Sequence, residues 1–429
     1  MARLVILFLT SLFAVLISEN LYAGDQGRDG AVDASKVDAS TLTGKIMCGY
    51  QGWFNCPDDG ADLGWTHWGR GPVLRPGTAT VDLWPDISQY DADELYPTKF
   101  HLADGKVAKV FSSHNRKTVQ RHFEWMQEYG IDGVFLQRFA NGIGGGNRLE
   151  HKNVVLENVR SAAKRTGRAY AVMYDLSGLR AGKVDLVRKD WLNLLKTAKM
   201  TSDKSYLNHD GKPVVAIWGI GFNDDRDYSV AECRDLVKFL KQNGCTVMLG
   251  VPTGWRTGDR DAVKDPILIE TIKLADIISP WTVGRYRTPD EATTHGEKVL
   301  KLDVSWCQKN KLDYLPVVFP GFSWHNLKGD KLDAIPRLKG KFLWSQLVAA
   351  KRSGCDMIYV AMFDEVDEAT AIFKCTNQPP VGEGVSFLTY EGLPTDFYLR
   401  LTGLGGKLLR GEIPVTKKIP DLSFSMSED

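Results

Sequence analysis

The chain has no long run of charge of one sign: 54 basic residues stand against 53 acidic ones, a net charge of +1. That excludes an electrostatic grip on nucleic acid or anionic membrane, and predicts a polymer partner without net charge. No Cys precedes Cys48, and the seven present (48, 56, 233, 245, 307, 355, 375) fit no zinc spacing. Their odd number leaves at least one unpaired. A chain of 429 residues needs no covalent staples, so most read as buried small apolar residues. The eight His are scattered, with no H-x-x-x-H pair, so neither metal nor cofactor is expected. No G-x-G-x-x-G follows the first apolar run, which argues against a dinucleotide-binding sheet. Neither a G-x-S-x-G elbow nor a Cys–His nucleophile signature occurs. No Asn-x-Ser/Thr acceptor is present. No Ser/Gly-rich or Pro-rich linker divides the chain, so one domain is expected, as a monomer.

What is present begins at the N-terminus. Arg3 precedes an apolar stretch from Leu4 to Ile17, and Leu21-Tyr22-Ala23 offers a small-residue cleavage site. The layout is that of a secretory signal peptide over residues 1–23, too short for a membrane span. It predicts a periplasmic or extracellular protein with no stable membrane anchor. A polar leader follows over 24–43.

Short apolar runs then alternate with helical patterns. The runs are 45–49, 133–136, 169–174, 213–218, 246–251, 276–278, 314–319 and 357–363. Several are apolar on both faces, as strands covered by helices must be. Val119, Phe123 and Met126 share a helical face, as do Val155, Val159 and Ala163. Leu236, Phe239 and Leu240 do so before the fifth run, and Leu343, Leu347 and Ala350 before the eighth. Phe397, Tyr398, Leu399 and Leu401 suggest a last helix. Eight strands with interleaved helices predict an α/β fold, a single (β/α)8 TIM barrel over residues 44–412 with a tail over 413–429. One connection, residues 50–116, is far longer than the rest and rich in Gly, Pro and Trp. Loops of that length are usually functional.

Active sites of such barrels lie at the C-terminal strand ends. There the sequence places Tyr50 and Trp53, Arg138, Asp175, Trp218, Trp255, Trp281 with Arg285 and Tyr286, and Trp324 with His325. After the eighth run stands Asp364-Glu365-Val366-Asp367-Glu368. Aromatic faces stack on sugar C–H faces, while amides, guanidinium groups and carboxylates bind hydroxyls. The rim therefore predicts a carbohydrate ligand, and these residues are its candidate contacts, Asp367 included. Glycoside cleavage needs one group to protonate the leaving oxygen and a second to attack or act as base. Glu365 and Glu368 are three apart, which on a helical turn brings both to one face. Like charges that close raise one pKa and yield an acid and a base at neutral pH. Asp175 facing Glu365 across the mouth is a second candidate pair. Asp175 bonded to the Ser177 region is the plainer reading of that residue.

These motifs, taken in order, resemble the glycoside hydrolase family 71/99-like group. Gly49-Tyr50-x-x-Trp53-Phe54 is similar to its first-strand motif, and Tyr129-Gly130-Ile131-Asp132-Gly133-Val134 to its second-strand entry. Gly211-Lys212-Pro213-Val214-Val215 resembles the fourth. Pro320-Gly321-Phe322 resembles a Pro-Gly-Tyr element after the seventh. Phe363-Asp364-Glu365-Val366-Asp367-Glu368 resembles its Phe-Asn-Glu-Trp-His-Glu segment. The resemblance spans about residues 44–410. It implies a retaining, endo-acting α-glycosidase without metal, typically an α-mannosidase. It also implies that Glu365 acts as base on the sugar 2-hydroxyl and Glu368 as acid/base, through a 1,2-anhydro intermediate. An axial 2-oxygen anti to an axial leaving group is well aligned for that internal attack. Here Asp364 replaces Asn and Val366-Asp367 replaces Trp-His, changes that bear on the choice of sugar. The related family 71 cleaves α-1,3-glucan, and xylan or arabinan side chains are further alternatives.

A reading of another class is a non-catalytic sugar-binding barrel, which Val366-Asp367 keeps open. A barrel enzyme for a phosphorylated metabolite would want a Gly-rich phosphate loop after strands seven and eight, where the acidic cluster stands instead.

Overall fold

A computed structural model describes residues 36–422. The expected signal peptide (1–23), the first part of the leader (24–35) and the end of the tail (423–429) lie outside the described residues. The barrel strands are β1 (Ile46–Tyr50), β2 (Gly133–Phe139), β3 (Ala169–Asp175), β4 (Lys212–Trp218), β5 (Thr246–Val251) and β6 (Ile277–Pro280). Strand β7 comes in two pieces, Asp313–Tyr314 and Val317–Val318, and β8 is Ile358–Val360.

All neighbouring pairs in this ring are parallel. The first piece of β7 pairs with β6 and the second with β8, while β8 pairs with β1, so the ring closes. Pro316 explains the break within the expected 314–319 run: it has no N–H to give the ladder. Its carbonyl still accepts from Tyr359 N at 3.0 Å. Likewise β8 is shorter than the expected 357–363, yet Ala361 and Phe363 continue to bond Val318 and Gly49. Every residue of β1, β3 and β5 is buried, which is why these runs are apolar on both faces.

Helices cover the outside: α1 (Arg116–Glu128), α2 (Gly146–Thr166), α3 (Asp185–Asn193), α4 (Val230–Gln242) and α5 (Pro266–Ile272). They continue with α6 (Pro289–His295), α7 (Lys301–Lys309), α8 (Lys341–Arg352) and, after β8, α9 (Phe397–Arg410). The starts are chemically marked. Asn115 accepts from Lys117 N at α1, and Ser229 with Glu232 forms a capping box at α4. Gly167, at φ +67°, ends α2 in the left-handed region. The predicted apolar faces turn inward; of those residues only Phe239 and Phe397 stay partly exposed.

The long connection after β1 carries a hairpin of its own, which pairs Leu95–His101 with Val107–Phe111. Phe54, Trp68 and Phe111 pack as an aromatic cluster, with centroids 4.6 and 5.1 Å from the Trp68 ring. Tyr50 Oη and Tyr90 Oη bond the two nitrogens of buried His122 at 2.9 and 2.8 Å, tying the connection to β1 and α1. Burial holds His122 at a pKa of about 3, hence neutral. All seven Cys are buried and unpaired. No helix among the described residues is long and apolar enough to cross a membrane.

Candidate active site

A cleft of about 520 Å³ opens at the C-terminal strand ends. Its aromatic walls are Trp53, Phe139, Trp218, Phe222, Trp281, Phe322 and Trp324, and its acids are Asp175, Asp224, Glu365 and Glu368. Gln51, Ser177, Arg226 and Arg285 complete the polar lining.

The two glutamates lie on the turn that follows β8. The expected helical face is not what joins them. Residues 364–369 form an irregular turn, and Ala369 stands at φ +53°. The turn is fixed by bonds to its backbone. The Glu365 carbonyl accepts from Thr370 N and Ala371 N at 3.1 and 2.9 Å, and the Val366 carbonyl from Asp82 N at 2.9 Å. Ser323 N donates to the Glu368 carbonyl at 3.0 Å. The Glu365 carboxylate is buried and accepts from Gln51 Nε2 at 2.7 Å and Thr370 Oγ1 at 2.9 Å. Those donors favour its charged, proton-accepting form. Burial and then the charge of Glu368 raise its pKa well above the ordinary glutamate value. Glu368 is half-buried against the cleft; burial and then the charge of Asp367 push it up to about 8. At neutral pH the pair thus holds a proton that isolated glutamates would have lost.

The flanking aspartates are supports. Asp364 accepts from Gln51 N and Gly52 N at 2.8 and 2.9 Å, fastening the exit of β1 beneath the cleft. Burial raises it to about 7. Asp367 bonds His67 Nδ1 at 2.9 Å. The His67 ring in turn stacks on Trp53, centroids 3.7 Å apart and planes within 4°. A short chain of contacts therefore links the acidic turn to a wall of the cleft.

Asp175 ends β3 in the same cleft. It accepts from Ser177 N at 2.7 Å, and burial pushes its carboxyl up to about 6. It caps its local turn and also faces the ligand space. In the same cleft, Trp218 and Trp281 meet edge to face at 5.4 Å. Gly250 on β5 makes room for this: a Cβ there would lie 2.4 Å from Trp218 Cδ1. Arg226 sits 4.9 Å from both the Trp218 and Phe222 rings and forks onto Asp224 at 2.8 Å. Arg285 bonds Asp261 at 2.7 Å. Gln51 Oε1, Trp53 Nε1 and Trp218 Nε1 are buried without a protein partner. Sugar hydroxyls have the complementary chemistry.

Of the predicted rim, Trp53, Asp175, Trp218, Trp281, Arg285, Trp324, Glu365 and Glu368 line the cleft. The other candidates do not. Tyr50 is buried and bonds His122 behind β1. Arg138 points outward from β2 into a buried pair with Asp190 at 2.6 Å. Trp255 is buried against Trp306, and Tyr286 packs on Phe319 and Phe342 with its hydroxyl on Gln346. His325 gives its backbone N–H to Asp82 and its ring nitrogen bonds the Asp330 carbonyl, outside the cleft lining. Asp367 lies behind the cleft rather than on it. Phe222, Asp224 and Arg226 line the cleft without having been predicted, because they lie several residues beyond the strand end at Trp218. The polar-aromatic run Phe222–Tyr228 is the sequence signal that marks them.

One His-containing cluster lies at the opposite end of the barrel. His209, Asp210 and Asp313 stand together, but His209 Nδ1 takes the Leu42 N–H at 3.1 Å and Nε2 bonds Asp313 at 2.8 Å. Both ring nitrogens are committed within the protein.

No family model matches the chain, and no curated protein does. Solved structures do. The GH99 endo-alpha-mannosidase from Bacteroides thetaiotaomicron superposes with TM-score 0.62 at 16% identity, over 86% of this chain and 99% of that one. The same enzyme in complex with BIS-TRIS-propane gives TM-score 0.63 at 17% identity, over 87% and 99%. The fold is therefore the TIM barrel of that endo-mannosidase, covered almost end to end.

Proposed function

We propose that this protein is a glycoside hydrolase that cleaves α-linked glycans, α-mannan foremost, with retention of configuration. The observation that carries the reading is that Glu365 and Glu368 both line one aromatic cleft. Glu365, held by two donors, acts as base and takes the proton of the sugar 2-hydroxyl. The freed 2-oxygen attacks the anomeric carbon while Glu368 gives its proton to the leaving oxygen. The product is a 1,2-anhydro sugar. Glu368, now a carboxylate, then deprotonates the water that opens it, and Glu365 returns the proton to O2. Two inversions give net retention. A barrel shared with an endo-alpha-mannosidase supports the choice of substrate. Export to the periplasm or outside the cell, and a monomeric state, belong to the same proposal.

The test is Glu365→Gln and Glu368→Gln on aryl α-mannosides and α-mannan. Each is expected to lose about 10²–10⁴-fold in kcat. Full activity in both variants overturns the assignment. The cleft position and raised pKa of Asp175 favour one second reading, in which it serves as the acid opposite Glu365. Activity lost in Asp175→Asn and kept in Glu368→Gln would establish that pairing. A panel adding α-1,3-glucan and arabinoxylan identifies the glycan.

A further inference from the structure

The cleft has a neighbour: a second chamber of about 460 Å³ adjoins it and shares Trp53, Phe139 and Ser177 as lining. Its chemistry is the reverse of the cleft's. Four acids line the cleft, whereas no Asp or Glu lines the chamber. Its cations are Arg148 and Lys152, both from α2. His151 also faces it, but burial holds that ring at a pKa of about 4, so it is neutral at pH 7.

Lys152 is half-buried, with Nζ 5.7 Å from the centroid of the Phe139 ring. Its neighbour Arg138 is matched by Asp190 at 2.6 Å. Neither Lys152 nor Arg148 has such a partner among the described residues. Burial and then the charges of Arg138 and Arg148 push the Lys152 ammonium down to about 8. Asp175 and Asp190 act in the opposite sense and do not offset this. A partly desolvated cation that no carboxylate bonds directly is costly unless something supplies that bond.

We infer that this chamber binds an oxyanion carried by the glycan, an ester sulfate or phosphate or a uronic carboxylate, on Lys152 and Arg148. The anion stands to these two cations as Asp190 stands to Arg138. The inference rests on the proposed glycan cleft, which the chamber adjoins. It also refines the expectation of an uncharged polymer: a net charge of +1 describes the whole chain, while this recognition is local.

The experiment is titration calorimetry on the full chain carrying Glu365→Gln and Glu368→Gln, which keeps probes intact. The probes are α-mannobiose, its 6-sulfate, its 6-phosphate and the corresponding uronic disaccharide. At least one acidic probe is expected to bind about tenfold tighter than α-mannobiose at low salt, less so at high salt. Whichever binds tightest names the anion. Adding Lys152→Met or the solvent-exposed Arg148→Gln should remove most of the preference, and Lys152→Arg should retain it. Equal binding of neutral and acidic probes overturns the inference and leaves the sugar cleft standing. So does a preference that survives Lys152→Met and Arg148→Gln together. Absence of binding by every probe overturns both.

Discussion

At the scale of single residues, the proposed chemistry turns on protons held in a dry place. Glu368 sits at about 8, so it is protonated, and able to act as acid, below that pH. The rate on an aryl α-mannoside should therefore fall as pH rises through about 8, and a kcat/KM profile will show it. The acid limb belongs to Glu365 and should lie above the ordinary glutamate range. The same shifts act on stability with the opposite benefit. Between the unfolded pKa and about 8 the folded state binds a proton that the unfolded chain has released, so stability falls as pH rises through this window. Glu368→Gln removes that penalty. The variant should be more stable than the native chain at pH 7, by on the order of 1 kcal/mol after solvent screening. A higher melting temperature is the expected readout; a lower one would contradict the assigned burial. Much of this was legible. Acids directly after the eighth strand mark the barrel mouth whatever the local geometry. What was not legible is the partner of Asp367. His67 lies in the long connection, and no local pattern joins it to a residue some three hundred positions further along the chain.

At the scale of elements, the long connection after β1 acts as a clamp on the turn after β8. Asp82 gives its N–H to Val366 and accepts from His325 N and Asn326 N at 2.7 and 2.8 Å. Asp82→Ala should leave those two amides unpaired. The expected cost is about 1–3 kcal/mol of stability, read by denaturant melts, with a drop in kcat as the 323–326 segment, whose Ser323 N–H holds the Glu368 carbonyl, loosens. Gly250→Val should drive a side chain into Trp218 and raise KM more than it lowers kcat, checked by steady-state kinetics on α-mannan oligosaccharides. The strands were legible because several are apolar on both faces, and the length of the connection set it apart from the other links. Its task of fastening the turn after β8 was not, since that depends on packing between segments far apart in sequence. The same limit misplaced Trp255 and Tyr286. Once the chain leaves a strand, alternation no longer tells which way a ring points.

At the scale of the whole molecule, the ring closes through a seventh strand split at Pro316, with all pairings parallel. Counting eight apolar runs was enough to predict closure. With all seven thiols buried and unpaired, the barrel is held together without a covalent cross-link. Addition of dithiothreitol should leave the melting temperature unchanged; a fall of several degrees would reveal a disulfide that contributes stability. Chain-wide charge balance is likewise a true average that hides a polarised groove, acidic over the glutamates and cationic beyond Trp53.

Cleavage of an α-glycan with retention by Glu365 and Glu368 is the central claim, and proton NMR of an α-mannan digest in its first minutes tests it most directly. The α-anomer of the new reducing end is expected to appear first, and neither Glu365→Gln nor Glu368→Gln should form it at a comparable rate. The β-anomer appearing first, or undiminished product from both variants, would contradict it.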